Sequence, residues 1–250
     1  MRRYSLGLVF VLLGVGLTLG QDADVRAVIT KAIVAHGGAD ALNKYNAGNT
    51  KVKGVISMFG QDLDFTGDIT YEMPDKYRMV LNTEAAGQKI SLVQIANGTK
   101  HKSTQNELPL KIGDPEKAEL TQAMKLQEIS VLTPLLTAKY TIKADQADKV
   151  GDVDAAVVIV NAKDFKETRL YFDAKTGLLI KSARRGLSPT MSGSKDALEE
   201  SVMSDFKKFD GVLAPTKMVV THDGKKFMTM TVIESQSMDK ADSKLFDIAD

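Results

Sequence analysis

The apolar positions change period along the chain, and each change marks an element. Val25, Val28, Ile29, Ala32, Ile33 and His36 recur at three- and four-residue spacing, which predicts one stripe on a helix over residues 22–36. Gly37-Gly38 follows as its stop, because glycine readily takes the positive φ that ends a helix. Residues 39–45 leave room for a further turn or two. From Thr50 the period falls to two. Val52, Gly54, Ile56 and Met58 alternate with Lys51, Lys53, Val55 and Ser57; after a turn at Gly60-Gln61, Leu63, Phe65, Gly67, Ile69 and Tyr71 alternate with polar partners. Pro74-Asp75 breaks the run. Strands are expected over 76–83 and 89–96, and Asn97-Gly98 makes a tight turn into 100–104.

One segment interrupts this β pattern. Asp114 suits an N-cap, Pro115 the first helical position and Glu116 the first turn, and apolar residues from Ala118 to Leu132 continue the helix up to Pro134. Strands then return over 139–144, 155–162, 168–173, 178–185, 198–209, 212–221 and 225–235, with turns at 173–177, Asp210-Gly211 and Asp223-Gly224. Residues 187–195 are polar and Ser/Gly-rich, and a mobile loop is expected there. The fold class that follows is α+β and mostly antiparallel. About eleven strands would curl into an incomplete, half-open barrel with helices covering the concave side.

The first twenty residues stand apart. Arg2 and Arg3 precede an uncharged run that is apolar from Leu6 to Leu19, the pattern of a signal peptide cut after Gly20. The run is shorter than the roughly 18 apolar residues of a spanning helix. The expected organisation is a signal peptide over 1–20 and a single domain over 21–250. Losing Arg2 and Arg3 would take the formal charge from +1 to −1. An exported protein, periplasmic or secreted and soluble after cleavage, is therefore expected. Near-neutral charge argues against a nucleic-acid partner. The absence of cysteine removes disulfides, thiolate metal sites and lipid attachment through sulfur.

Catalytic signatures are weak. His36, His101 and His222 have no partner at metal-ligand spacing, and structural or surface roles are expected for all three. Ser204–Lys207 fits S-x-x-K and Lys175–Gly177 fits K-T-G, but their order is inverted and neither opens a helix. No catalytic residue, metal or cofactor is expected. The apolar strand faces carry more information. Met228, Met230 and Val232 share one face, as do Met218 and Val220. Methionine is flexible and polarizable, and it suits a surface that accommodates guests of varied shape as well as ordinary gap-filling in a core. Met58, Phe65, Met79, Met218, Met228 and Met230 are the candidate ligand-binding residues.

Three segments together resemble the LolA/LolB-like superfamily of outer-membrane lipoprotein-sorting proteins. Residues 67–78 resemble that family's strand, proline and aromatic–basic strand. Residues 168–178, around Asp173-Ala174-Lys175-Thr176-Gly177, resemble its D-x-x-T-G hairpin. Residues 204–215 resemble its S-D-[YF]…G…P hairpin, and Lys244-Leu245-Phe246 its terminal Phe element. The resemblance implies an incomplete barrel with a helical lid over a hydrophobic cavity. It also implies a monomeric, non-catalytic carrier of a lipid or acylated lipoprotein, loaded by an inner-membrane extraction complex and unloaded to an outer-membrane acceptor. The chain departs from the family at two places. Met73 precedes Pro74 where the lipoprotein carriers have an arginine that ties the lid, and no Trp follows Asn97-Gly98. A sensor or protein-interaction module of the same fold, with no lipid cargo, is the alternative.

Overall fold

The computed structural model describes residues 18–58, 60–190 and 193–248. Helix α1 spans Thr18–Ala35 and buries Val25, Ile29, Ala32 and Ile33, the stripe predicted from spacing. It starts ahead of the expected cut after Gly20; residues 1–17 of the expected signal peptide lie outside the described residues. Gly37 ends it at φ 120°, and a Cβ there would fall 2.3 Å from the carbonyl oxygen of Gly211. No side chain satisfies both demands. A short helix α2, Ala39–Leu42, follows.

Fourteen strands form one sheet. The first six are β1 (Ala47–Met58), β2 (Gln61–Glu72), β3 (Lys76–Ala85), β4 (Gln88–Asn97), β5 (Lys100–Gln105) and β6 (Leu108–Pro109). Helix α3 (Asp114–Ser130) and a 3₁₀ turn, Thr133–Leu136, interrupt them. Then come β7 (Thr141–Ala144), β8 (Asp148–Val150), β9 (Val153–Ala162), β10 (Phe165–Asp173), β11 (Leu179–Thr190), β12 (Gly193–Phe209), β13 (Val212–His222) and β14 (Lys225–Met238). Every pairing is antiparallel, in the order β6-β5-β4-β3-β2-β1-β14-β13-β12-β11-β10-β9-β7, with β8 added beside β9. The two ends do not meet, so the barrel is incomplete, as expected. The strand count exceeds the expected eleven because short pieces such as β6 and β8 pair locally at the sheet margins.

The loop expected over 187–195 is instead the end of a long hairpin. Strands β11 and β12 pair from Lys181↔Val202 out to Thr190↔Gly193, through Ser188↔Lys195. The two arms there pair with each other and extend the ladder, which local composition does not reveal. Helix α3 begins one residue earlier than the cap reading implied. Gly113 is the N-cap, and Glu116 Oε2 accepts from its N–H at 3.1 Å.

Alternation along the strands gives the sheet two faces. The concave face carries the main core, in which Phe172, Leu170, Val158 and Val160 pack under α1 and under Ile129, Leu132 and Leu135. On the convex face the C-terminal 3₁₀ turn, Ser243–Phe246, buries Phe246 against Ala47 and Ile95. One close approach fixes β1 against β14, since a Cβ on Gly54 would lie 1.9 Å from the Thr229 carbonyl oxygen.

Candidate functional site

A cavity of about 360 Å³ lies between the concave face and the helices. Its floor is built by register. On β1 and β2, Thr50, Val52, Ile69 and Tyr71 point the same way; on β14 and β13, Met230, Val232 and Met218 do. Leu42 of α2, Tyr45, and Gln127, Ser130 and Val131 at the end of α3 close it from the other side. Among the described residues no Asp or Glu lines it. Its walls are mostly hydrocarbon, hydroxyl and amide, with the His36 ring and Lys217 also at the lining.

Of the six candidate residues, Met218 and Met230 line this cavity, paired directly across β13 and β14. Phe65, Met58 and Met228 lie farther along the same concave face, in an apolar cluster with Val52, Ile56, Leu63 and Leu81. Phe65 is buried there; Met58 and Met228 are half-buried. Met79 is half-buried on β3 opposite Ile69 and does not line the cavity. Val52, Met230 and Val232 belong to both the cavity wall and the cluster, so one apolar floor runs through both. Sequence reasoning missed Thr50, Ile69, Tyr71 and Val232 as lining residues. The period-two pattern that gave Met230 was the signal that could have found them.

Tyr71 bridges floor and lid. Burial pushes its hydroxyl above the ordinary value, and a hydrogen bond to Gln127 of α3 partly opposes this. The ring has room because Gly48 has no side chain; a Cβ there would lie 2.7 Å from the Tyr71 oxygen. Met73, the residue before Pro74, lines the cavity.

The other half of α3 is tied by charge. Arg184 of β11, 8% exposed, reaches Glu119 of α3 with one guanidinium nitrogen and Glu199 of β12 with Nε at 3.0 Å. Lys166 adds a 3.2 Å contact to Glu119. His222 Nε2 faces Glu199 Oε2 at 3.5 Å, its Nδ1 lies 2.9 Å from Ser188 Oγ, and its ring stacks on Phe227. Burial would raise the Glu199 carboxyl, but His222 and Arg184 outweigh it and hold the group below the usual carboxylate range. On the opposite side of the lid, His101 Nε2 meets Thr121 Oγ1 at 3.1 Å.

His36 anchors the first helix. Its Nδ1–H donates to the Leu213 carbonyl at 2.6 Å, and Nε2 accepts from the Leu179 N–H at 3.1 Å. Both ring nitrogens are used by the neutral form, and burial lowers the pKa despite the Leu213 bond. The D-x-x-T-G turn next to it has a matching role. Asp173 Oδ1 accepts from Lys175 and Thr176 N–H at 2.7 and 3.0 Å, and Lys31 of α1 donates to the Ala174 carbonyl at 2.6 Å. Among the described residues no group of three or more His, Asp or Glu is placed to hold a metal, and no helix is long and apolar enough to cross a membrane.

No protein-family model matches the sequence, and no curated protein matches it. Solved structures do match at the level of fold. A LolA superfamily protein from Nitrosomonas europaea superposes with a TM-score of 0.56 at 10% identity, covering 90% of this chain and 97% of that one. A putative outer-membrane lipoprotein-sorting protein domain from Vibrio parahaemolyticus gives 0.52 at 9% identity, covering 90% and 97%. A DUF1329 family protein from Desulfovibrio piger gives 0.51 at 11%, covering 89% and 97%.

Proposed function

We propose, from a LolA-like half-barrel as premise, that this protein is an exported, non-catalytic carrier that shelters the acyl chain of a lipid or lipoprotein. The observation that carries the reading is the cavity of about 360 Å³ lined by Met218, Met230, Val52 and Val232, with no carboxylate among its described lining residues. Burying each methylene of an acyl chain gains about 0.8 kcal/mol, so a chain filling such a cavity needs no catalytic group to stay bound. The leader-like residues 1–20 support a periplasmic or secreted location. The fold shared with a lipoprotein-sorting domain supports a cargo that cannot cross water bare. Within this reading α1, α2 and α3 form the cover, and the concave sheet face forms the greasy wall.

The test is uptake of a fluorescent fatty acid by delipidated protein. Met218→Asp with Met230→Asp places two carboxylates in the cavity wall, and at least a tenfold loss of affinity is expected. Circular dichroism on the same variant separates lost binding from lost folding. A folded double variant with unchanged uptake would defeat the carrier reading.

A further inference from the structure

The concave floor is graded in polarity along the strands, and the gradient has a direction. At one end of the cavity stand Thr50, Tyr71, Ser235 and Ser237, with Thr50 Oγ1 3.5 Å from Ser235 Oγ. Val52, Ile69 and Val232 come next, then Met230 and Met218. Beyond the cavity the same face continues over Met228, Ile56 and Phe65 to Leu63 and Met58. From Ser235 to Met228 is seven residues of β14, roughly 23 Å at about 3.3 Å per residue. That is the length scale of one long acyl chain.

The volume sets the number of chains. At roughly 30 Å³ per water-sized group, 360 Å³ holds on the order of twelve methylenes. One chain fits, with its far end reaching the half-buried Met228 and Met58. The three chains of a triacylated lipoprotein do not. Helix α3 touches β3, β4, β10 and β11, and the Met228–Met58 stretch belongs to β14 and β1, so the floor beyond Met230 is not beneath that helix.

We propose that the site takes one unbranched acyl chain in a fixed orientation. The head group lies at the Thr50–Ser235–Ser237 end, and the tail runs past Met230 onto Met228, Phe65 and Met58. This rests on the carrier reading and narrows its cargo to single-chain amphiphiles, whose chemistry is shared by free fatty acids and lysophospholipids. The head group meets hydroxyls and the Tyr71–Gln127 pair, and among the described lining residues Lys217 carries the fixed charge.

The experiment measures competition against a fluorescent fatty acid, together with native mass spectrometry, on the delipidated chain. The competitors are saturated fatty acids of increasing length, lysophosphatidylcholine, diacyl phosphatidylcholine and a triacyl lipopeptide. One single-chain molecule per protein is expected, with affinity rising up to about fourfold per added methylene. The diacyl and triacyl competitors are expected at least tenfold weaker. Fatty acid against lysolipid separates the two sources of the chain. Met228→Asp should remove the advantage of long chains and leave short ones unchanged, while Met228→Leu keeps both. Diacyl binding as tight as single-chain binding would overturn the single-chain proposal alone. Equal weakening of short and long chains by Met228→Asp, in a folded variant, would overturn the orientation. Binding of no amphiphile at all would instead defeat the carrier reading beneath it.

Discussion

His36 shows how much one side chain can settle. It follows the last turn of α1, yet its ring is bonded to Leu213 at the start of β13 and to Leu179 at the start of β11. Its own carbonyl accepts from the Leu213 N–H at 2.9 Å. Three distant segments meet on one residue. Protonation would put a second N–H against the Leu179 N–H, so the folded state resists the proton and its pKa is lowered by burial. Stability from this group is therefore full above its ordinary value of 6.5 and is lost as pH falls below it, toward the lower folded value. Denaturant melts across this range should show that decline, and His36→Ala should lower stability at neutral pH while removing the slope. An unchanged slope in the variant would assign the decline to another group. The sequence placed His36 on the apolar stripe and at the end of a helix. It gave no sign of Leu179, which is 143 residues away.

Helix α3 illustrates the next scale. Its existence was legible from Pro115, Glu116 and the apolar content that follows, because those signals are local. The contacts that hold it over the sheet were not, because the groups that make them come from β2, β5, β10 and β11. Arg184 is the central tie, a buried guanidinium between Glu119 and Glu199. Removing it leaves Glu119 with Lys166 alone and Glu199 with His222 alone, both carboxylates partly buried. Arg184→Ala is expected to cost about 3–5 kcal/mol, measured by denaturant unfolding. Replacing Arg184, Glu119 and Glu199 together with Met or Leu should cost much less, since no charge is then left unpaired. An equal loss in both would mean that volume, not charge, holds the lid. The β11–β12 hairpin teaches a related lesson. Its Ser- and Gly-rich tip resembled a loop because strand propensity is weak there, but pairing across Ser188↔Lys195 overrides propensity.

For the whole molecule, the open antiparallel sheet with helices on its concave side is a direct product of period two followed by turns. A cavity at the centre of such a molecule couples binding to stability. A guest that binds only the folded state adds RT ln(1 + [L]/Kd), about 2.7 kcal/mol at a hundredfold excess over Kd. The melting temperature of the delipidated chain should therefore rise with palmitate concentration, and Met218→Asp with Met230→Asp should abolish the rise. A rise of equal size in that variant would place the binding elsewhere. The same fold is found in solved structures at about one residue in ten identical.

The sequence by itself determined the periods, and through them the helices, the strands and the face on which Met218, Met228 and Met230 stand. These are local properties, fixed by side-chain spacing on a single element. Only the tertiary structure decided where along that face the space lies. Met218 and Met230 border it, while Phe65, Met58 and Met228 fill the neighbouring cluster. The reason is physical. A cavity is bounded by what stands opposite, and Leu42, Tyr45, Gln127 and Val131 arrive there through contacts between segments far apart in the chain. No pattern within one strand encodes the position of its cover.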